Sequence, residues 1–233
     1  MSDTPQPPAA WNDLEFLRRV DGASSTVPPL RVLFLAHRLS ANGRLILRTS
    51  RERHEVHVHG GQVVSVSGWT DLLSRVGVPG EPGDDLASLL NRAVQKQVRP
   101  DDALRAAGVT LGAHLARMVG SSSIRVRFDE DATERGMRTP LLDSVPRIIA
   151  IGLREMRPPD LLRAEYGRQM DRRVTLCPLD AEAPVKAGLD TLAHRMLREA
   201  RSRPSLSAFL SDTGDARWVA LDLLVQLGLV ALG

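Results

Sequence analysis

The glycine pair Gly60-Gly61, set between two runs of alternating apolar and polar residues, constrains the fold more tightly than any other feature of the chain. Before it stand Gly43-Arg44-Leu45-Ile46-Leu47-Arg48-Thr49 and Glu55-Val56-His57-Val58-His59; after it comes Gln62-Val63-Val64-Ser65-Val66. Alternation with period two is the mark of a half-buried strand, and β-branched valines suit a pleated surface. A two-residue hairpin turn demands positive φ at its centre, which glycine supplies without steric cost. The segment therefore predicts a β-hairpin turned at Gly60 and Gly61.

At 233 residues and 42% hydrophobic, the chain is long enough to bury a substantial core. No apolar run approaches the ~20 residues that a membrane-spanning helix needs. The stretch Met1 to Ala10 is polar and proline-rich, unlike an export signal, so a soluble cytoplasmic protein without a membrane partner is expected. Cys177 is the one cysteine, which excludes an internal disulfide and a cysteine-based zinc cluster. All but Lys96 and Lys186 of the 31 basic residues are arginine, yet 28 acidic residues are interspersed among them. No strong field of one sign follows, and nucleic-acid binding is not implied.

Three regions emerge along the chain. Residues 1–27 read as a flexible arm with prolines, a Gly22-Ala23-Ser24-Ser25 stretch and one short helix from Asn12 to Val20. Residues 28–140 read as an α+β domain. Pro28 and Pro29 suit a helix start before Leu30, Leu33 and Phe34, and the hairpin follows. Asp84-Asp85 sits where an N-cap belongs before Leu86, Leu89, Leu90 and Val94. Pro100 to Asp102 opens a short helix ending near Gly108, with another from Leu111 to Val119. Ile124, Val126 and Phe128 then share one face of a strand, with Arg125 and Arg127 on the other, and this strand is expected to rejoin the hairpin sheet. Residues 141–233 read as a helical region: Leu142 to Met156, Asp160 to Met170, an extended Val174-Thr175-Leu176, and an amphipathic helix from Val185 to Ala200. Ser205 to Leu210, Ala216 to Leu227 and a terminal extended run complete an order resembling winged-helix units.

Candidate chemistry is sparse. His57 and His59 project to one strand face beside Glu55, with His54 nearby, but a structural zinc site wants four ligands, so a solvated strand is the expectation. Asp84-Asp85 and Asp101-Asp102 are explained as helix starts, where carboxylates accept unpaired backbone N–H groups. No nucleophile elbow, phosphate loop or dinucleotide fingerprint occurs, and Cys177 before Pro178 has no local signature. No catalytic, cofactor-binding or metal-binding residue is predicted; Gly60 and Gly61 are singled out as a structural turn. From Ser205 to Gly233 the one basic residue is Arg217, against Asp212, Asp215 and Asp222, which argues against a DNA-reading helix there. A DNA-binding regulator would instead need Arg154, Arg157, Arg163, Arg168, Arg172 and Arg173 to form one basic face.

The entry helix, Gly43-Arg44-Leu45-Ile46-Leu47, and Glu55 to Val66 with its Gly60-Gly61 turn resemble the PatA N-terminal type (PATAN) domain, whose signature is a G-x-L-x-L strand, a spacer and a hairpin. Helices inserted before the strand Ile124 to Phe128 also fit, and Leu142 to Met156 with the Gly-Leu-Val ending resembles the C-terminal extension often found beside that domain, so the similarity spans about residues 28 to 233. Val58 stands where the family usually has an aromatic, and the helical insertion between Ser67 and Ile124 is shorter than the family's. The resemblance implies a small antiparallel sheet with flanking helices, no cofactor, and a non-catalytic adaptor role towards other bacterial signalling proteins. It leaves open whether the chain associates with itself.

Overall fold

A computed structural model describes residues 14–130, 141, 143–177, 189–210 and 214–233, and over these the fold is α+β. Its centre is a five-stranded antiparallel sheet in the order β1-β5-β2-β3-β4, where β1 is Asp21–Ala23, β2 Gly43–Arg48, β3 Arg53–His59, β4 Gln62–Ser67 and β5 Arg125–Glu130. β2 turns into β3 through Thr49, whose hydroxyl accepts from the amides of Arg51 and Glu52. β5 enters between β1 and β2 and runs antiparallel to both. Strand alternation then divides the side chains: Leu45, Leu47, Val56, Val58, Val126 and Phe128 are buried on one face. Arg44, Ile46 and Arg48 of β2 fall on the opposite face with Arg125, Arg127 and Arg53. On β4 the strict alternation fails. A bulge where the register shifts beyond His57 inserts one residue, so Val63 and Val66, three apart, both reach the core.

The helices are α1 (Leu14–Arg18), α2 (Pro29–Arg38), α3 (Leu86–Gln95), α4 (Pro100–Arg117), α5 (Val145–Met156), α6 (Pro159–Tyr166), α7 (Thr191–Glu199), α8 (Leu206–Phe209) and α9 (Asp215–Gln226). Proline opens α2, α4, α5 and α6 in the first turn, where its missing N–H costs nothing. Asp85 caps α3 by accepting from the Ser88 amide at 2.8 Å, and Asp190 caps α7 through the Ala193 amide at 2.8 Å. α2 lies against β2 and packs on α4 and α5, which places the helical layer over the apolar face of the sheet. Two further short strands, β6 (Val174–Leu176) and β7 (Val230–Leu232), pair antiparallel beside α9.

Four expectations about the elements and their packing differ from the structure. The first is the arm: residues 14–23 are built into the fold as α1 and as β1, which pairs with β5, and Leu17 and Val20 are buried. Residues 1–13 lie outside the described residues. The second is the helix ending at Gly108, because α4 runs unbroken from Pro100 to Arg117 through both Gly108 and Gly112. Packing overrides propensity here: a Cβ on Gly112 would sit 2.2 Å from the Ile148 carbonyl oxygen, and one on Gly152 2.1 Å from the backbone of Gly112, so α4 and α5 touch backbone to backbone. The third is the division at residue 140, since that same contact joins its two sides, and one continuous buried core runs from Leu17 to Val230. The fourth is Val94, which the helical stripe placed inward and the structure exposes at 57%.

Candidate functional site

The hairpin turn sits where it was predicted. Gly60 and Gly61 have φ of 54° and 75°, and His59 pairs with Gln62 across them, a two-residue turn with both central residues left-handed. Its second task was not legible in sequence: the turn docks on the end of α2. The Gly61 amide donates to the Ala41 carbonyl at 3.0 Å, His37 Nδ1 donates to the Gly61 carbonyl at 2.8 Å, and the Gly60 amide donates to Asn42 Oδ1 at 2.8 Å. A Cβ on Gly61 would lie 2.6 Å from the His37 carbonyl oxygen, so glycine is required by space as well as by φ.

The histidines are a correction. His54 and His57 are buried, at 6% and 8% exposure, where a solvated strand was expected. His54 shares the core face with Val56 and stacks on Trp69 with ring centroids 4.7 Å apart, while His57 lies on the opposite face with Nε2 3.3 Å from Glu55 Oε2. Only His59, at the strand end, is exposed. Among the described residues, no three His, Cys, Asp or Glu side chains gather as they would around a metal ion.

Each paired aspartate has a local structural task. Asp85 caps α3, and Asp84 takes Arg92 at 2.9 Å. Burial raises the Asp85 carboxyl, but the Ser88 amide and hydroxyl more than offset it and hold the group below its ordinary range. Asp101 and Asp102 occupy the first turn of α4, favoured by the helix dipole. Burial pushes the Cys177 thiol up, with Arg31 opposing, which suits an inert thiol rather than a nucleophile.

In the C-terminal region α9 is held from several sides. It packs on α5, α6 and α7, and Ala220 through Leu224 are all buried. Asp222, 1% exposed, accepts two bonds from Arg157 (2.8 and 3.1 Å) and one from the Tyr166 hydroxyl (2.7 Å), while Arg157 also reaches Glu165 at 2.7 Å. Burial and the Asp222 charge push the Tyr166 phenol well above its ordinary value. Burial alone would lower Arg157, but the Asp222 hydrogen bond and charge raise it. Arg217 donates to the Phe209 carbonyl and pairs with Glu199, buried at 8% exposure. Of the six arginines a DNA-binding face would need, Arg157 is thus turned inward and Arg163 is taken by Asp160 and Asp215. A cleft of about 530 Å³ beside α5 includes Ser144, Arg147, Ile151, Arg154, Asp190 and Leu223 in its lining. Two of its polar groups are already engaged, Arg147 with Asp143 at 3.0 Å and Asp190 as the cap of α7.

The most unusual electrostatics lie on the polar face of the sheet. Register sets Arg48 directly opposite Arg53 on β3 and opposite Arg125 on β5, so three arginines stand side by side across three strands. Like charges in directly opposed positions destabilise a sheet. Two of the three have carboxylate partners: Arg125 makes a two-pronged pair with Asp21 at 2.6 and 3.0 Å, and Arg53 reaches Glu55 at 2.5 Å. That bidentate bond, with the Arg125 charge, draws Asp21 below its ordinary value. Arg48 is exposed and has no hydrogen-bond or ion-pair partner among the described residues. In the next row Ile46 is 6% exposed between Arg127 and Glu55, a position consistent with cover from neighbouring arginine stems. Arg44 beyond it bridges Glu55 and Asp129 at 3.1 and 3.5 Å.

Sequence reasoning placed Arg125 and Arg127 on one strand face but missed the three-arginine row, because cross-strand register joins residues 77 positions apart. The available signal was the polar half of each alternation, arginine at positions 44, 48, 53, 125 and 127. Asp222 in the apolar run of α9 was the corresponding sign of a buried charge network. No protein-family model, curated protein or solved structure matches the chain.

Proposed function

We propose that this chain is a non-catalytic protein-binding module, a cytoplasmic adaptor in bacterial signalling or motility regulation. The observation that carries the reading is the two-layer build: helices cover the apolar side of the sheet, while the other side presents an exposed arginine row whose centre, Arg48, has no partner among the described residues. Like-charge crowding at one spot weakens a free protein and is relieved when an oppositely charged surface docks. The resemblance to PATAN domains supports the same role, with partners supplied in trans. Among the described residues no helix is long and apolar enough to cross a membrane. The alternative, a DNA-binding regulator reading bases with the third C-terminal helix, has weaker support, because α9 is packed on three other helices and its one arginine is buried.

Affinity capture tests the proposal. The tagged chain, incubated with a lysate of its own source organism, is expected to retain a defined protein at a fixed stoichiometry, more weakly as salt is raised. Retention of no protein at low salt refutes it.

A further inference from the structure

We propose that the end of the sheet centred on Arg48 binds an acidic polypeptide segment of the partner, one that presents several aspartate or glutamate side chains at short spacing. The inference rests on the protein-binding reading above and adds the surface and the chemistry of what it binds. Three observations converge on it. Arg48, Arg53 and Arg125 form one row across β3, β2 and β5, and neighbouring strands lie about 4.8 Å apart, so three guanidinium stems rise within about 10 Å. Arg51, in the adjoining turn, is also exposed and extends the basic area around that row, while Arg127, one row down, is exposed but engaged by Asp129 at 2.5 Å. Arg48 has neither hydrogen-bond nor ion-pair partner among the described residues, although a planar guanidinium is suited to grip a carboxylate with two parallel bonds.

The same face favours a peptide over a nucleic acid. Asp21, Glu55 and Asp129 stand among the arginines, and the carboxylates of Glu55 and Asp129 are themselves only partly exposed, at 14% and 21%. A continuous line of phosphates would have to pass over these negative groups. Side-chain carboxylates can be set discretely: on a helix, residues four apart lie about 5–6 Å from one another, close to the spacing of the arginine row. The sites of attraction are therefore separate points, matched by separate acids.

The test is fluorescence anisotropy on the whole protein. The probe is a fluorescein-labelled peptide with glutamate at every fourth position, compared with the same peptide carrying glutamine and with a 20-base-pair DNA duplex. The glutamate peptide is expected to bind at low salt, with the glutamine peptide at least about tenfold weaker. Arg48→Glu should weaken glutamate-peptide binding at least about tenfold, since it replaces an attraction with a repulsion at the centre of the row. Arg198→Glu, at an exposed arginine of α7, should leave binding unchanged. A merely structural Arg48 would lower stability when replaced. Here Arg48→Glu relieves two like-charge contacts and should raise Tm by about 1–2 °C, with Arg48→Gln moving both readouts the same way by less. Unchanged peptide affinity in Arg48→Glu and Arg48→Gln, or duplex DNA held more tightly than the glutamate peptide, overturns the inference. Capture from the lysate separates the two levels. A partner retained equally by wild type and Arg48→Glu sinks the assigned surface and leaves the adaptor reading standing, whereas no partner on wild type sinks the adaptor reading itself.

Discussion

Two glycines four residues apart on α4 should respond to alanine with opposite signs. At Gly108 a new Cβ would meet Ile148 Cγ1 at 3.7 Å and Asp143 Oδ2 at 3.8 Å, ordinary contacts that require no movement. Gly108→Ala thus keeps the packing and gains helix propensity, which stabilises the fold by about 0.5–1 kcal/mol. At Gly112 the Cβ would stand 2.2 Å from the Ile148 carbonyl oxygen, and moving it to about 3.4 Å separates α4 from α5 by about 1.2 Å. No flexible side chain is available to yield, because the clash is with backbone. A gap of that size between well-packed surfaces forfeits up to about half of each lost dispersion contact, and Leu111, Leu115, Ile148 and Ile149 are all fully buried in these two helices. Overpacking of this kind costs about 3 kcal/mol or more, so after the propensity gain Gly112→Ala should destabilise by about 2 kcal/mol or more. Urea unfolding followed by helical circular dichroism measures both. For a chain of this length Tm should rise by about 1–4 °C for Gly108→Ala and fall by about 4–8 °C or more for Gly112→Ala. If both variants lose stability equally, α4 does not run straight through Gly108 as described. If neither does, the two helices are not in backbone contact.

Further tests follow from the buried network, the turn and the cap. Asp222→Ala strands Arg157 and the Tyr166 hydroxyl and should cost about 3–5 kcal/mol, whereas the triple change Arg157→Met, Tyr166→Phe and Asp222→Leu, which leaves no polar member of the buried network unpaired, should come within about 1 kcal/mol of wild type; thermal melts showing a mild Asp222→Ala would contradict the network. At the hairpin, Gly60→Asn keeps a tolerated left-handed residue in open space and should cost under about 1 kcal/mol, but Gly61→Asn adds a clash with the His37 carbonyl and should cost about 2 kcal/mol or more, read by chemical denaturation. Because the Asp85 carboxyl is held below its ordinary value near 3.8, its cap stabilises the ionised form: the contribution is present above that value and lost as pH falls below it. The stability difference between wild type and Asp85→Ala, about 1 kcal/mol at neutral pH, should therefore shrink as pH falls through the acidic carboxylate range; a difference that stayed constant down to pH 2 would contradict the cap.

Local chemistry was legible from residues alone wherever its cause spans a few positions. The Gly60-Gly61 turn, the proline starts of α2 and α4, the Asp85 cap and the core faces of β2, β3 and β5 all depend on backbone φ, a missing or orphaned N–H, or alternation over neighbouring residues. The α+β class follows from these elements in order. Other features depend on partners far along the chain, and no local preference encodes them. Gly108 read as a helix end because its intrinsic cost is local, while the backbone contact of Gly112 with Gly152 and Ile148 that holds α4 together on both sides of it is not. His54 read as solvated until Trp69 supplied a ring to stack on, and Asp222 counted only as one acidic residue of the C-terminal region until the fold brought Arg157 and Tyr166 to it. The arginine row follows the same rule: each strand places its own arginine on the polar face, but side-by-side charge exists only once the pairing register of β3, β2 and β5 is set.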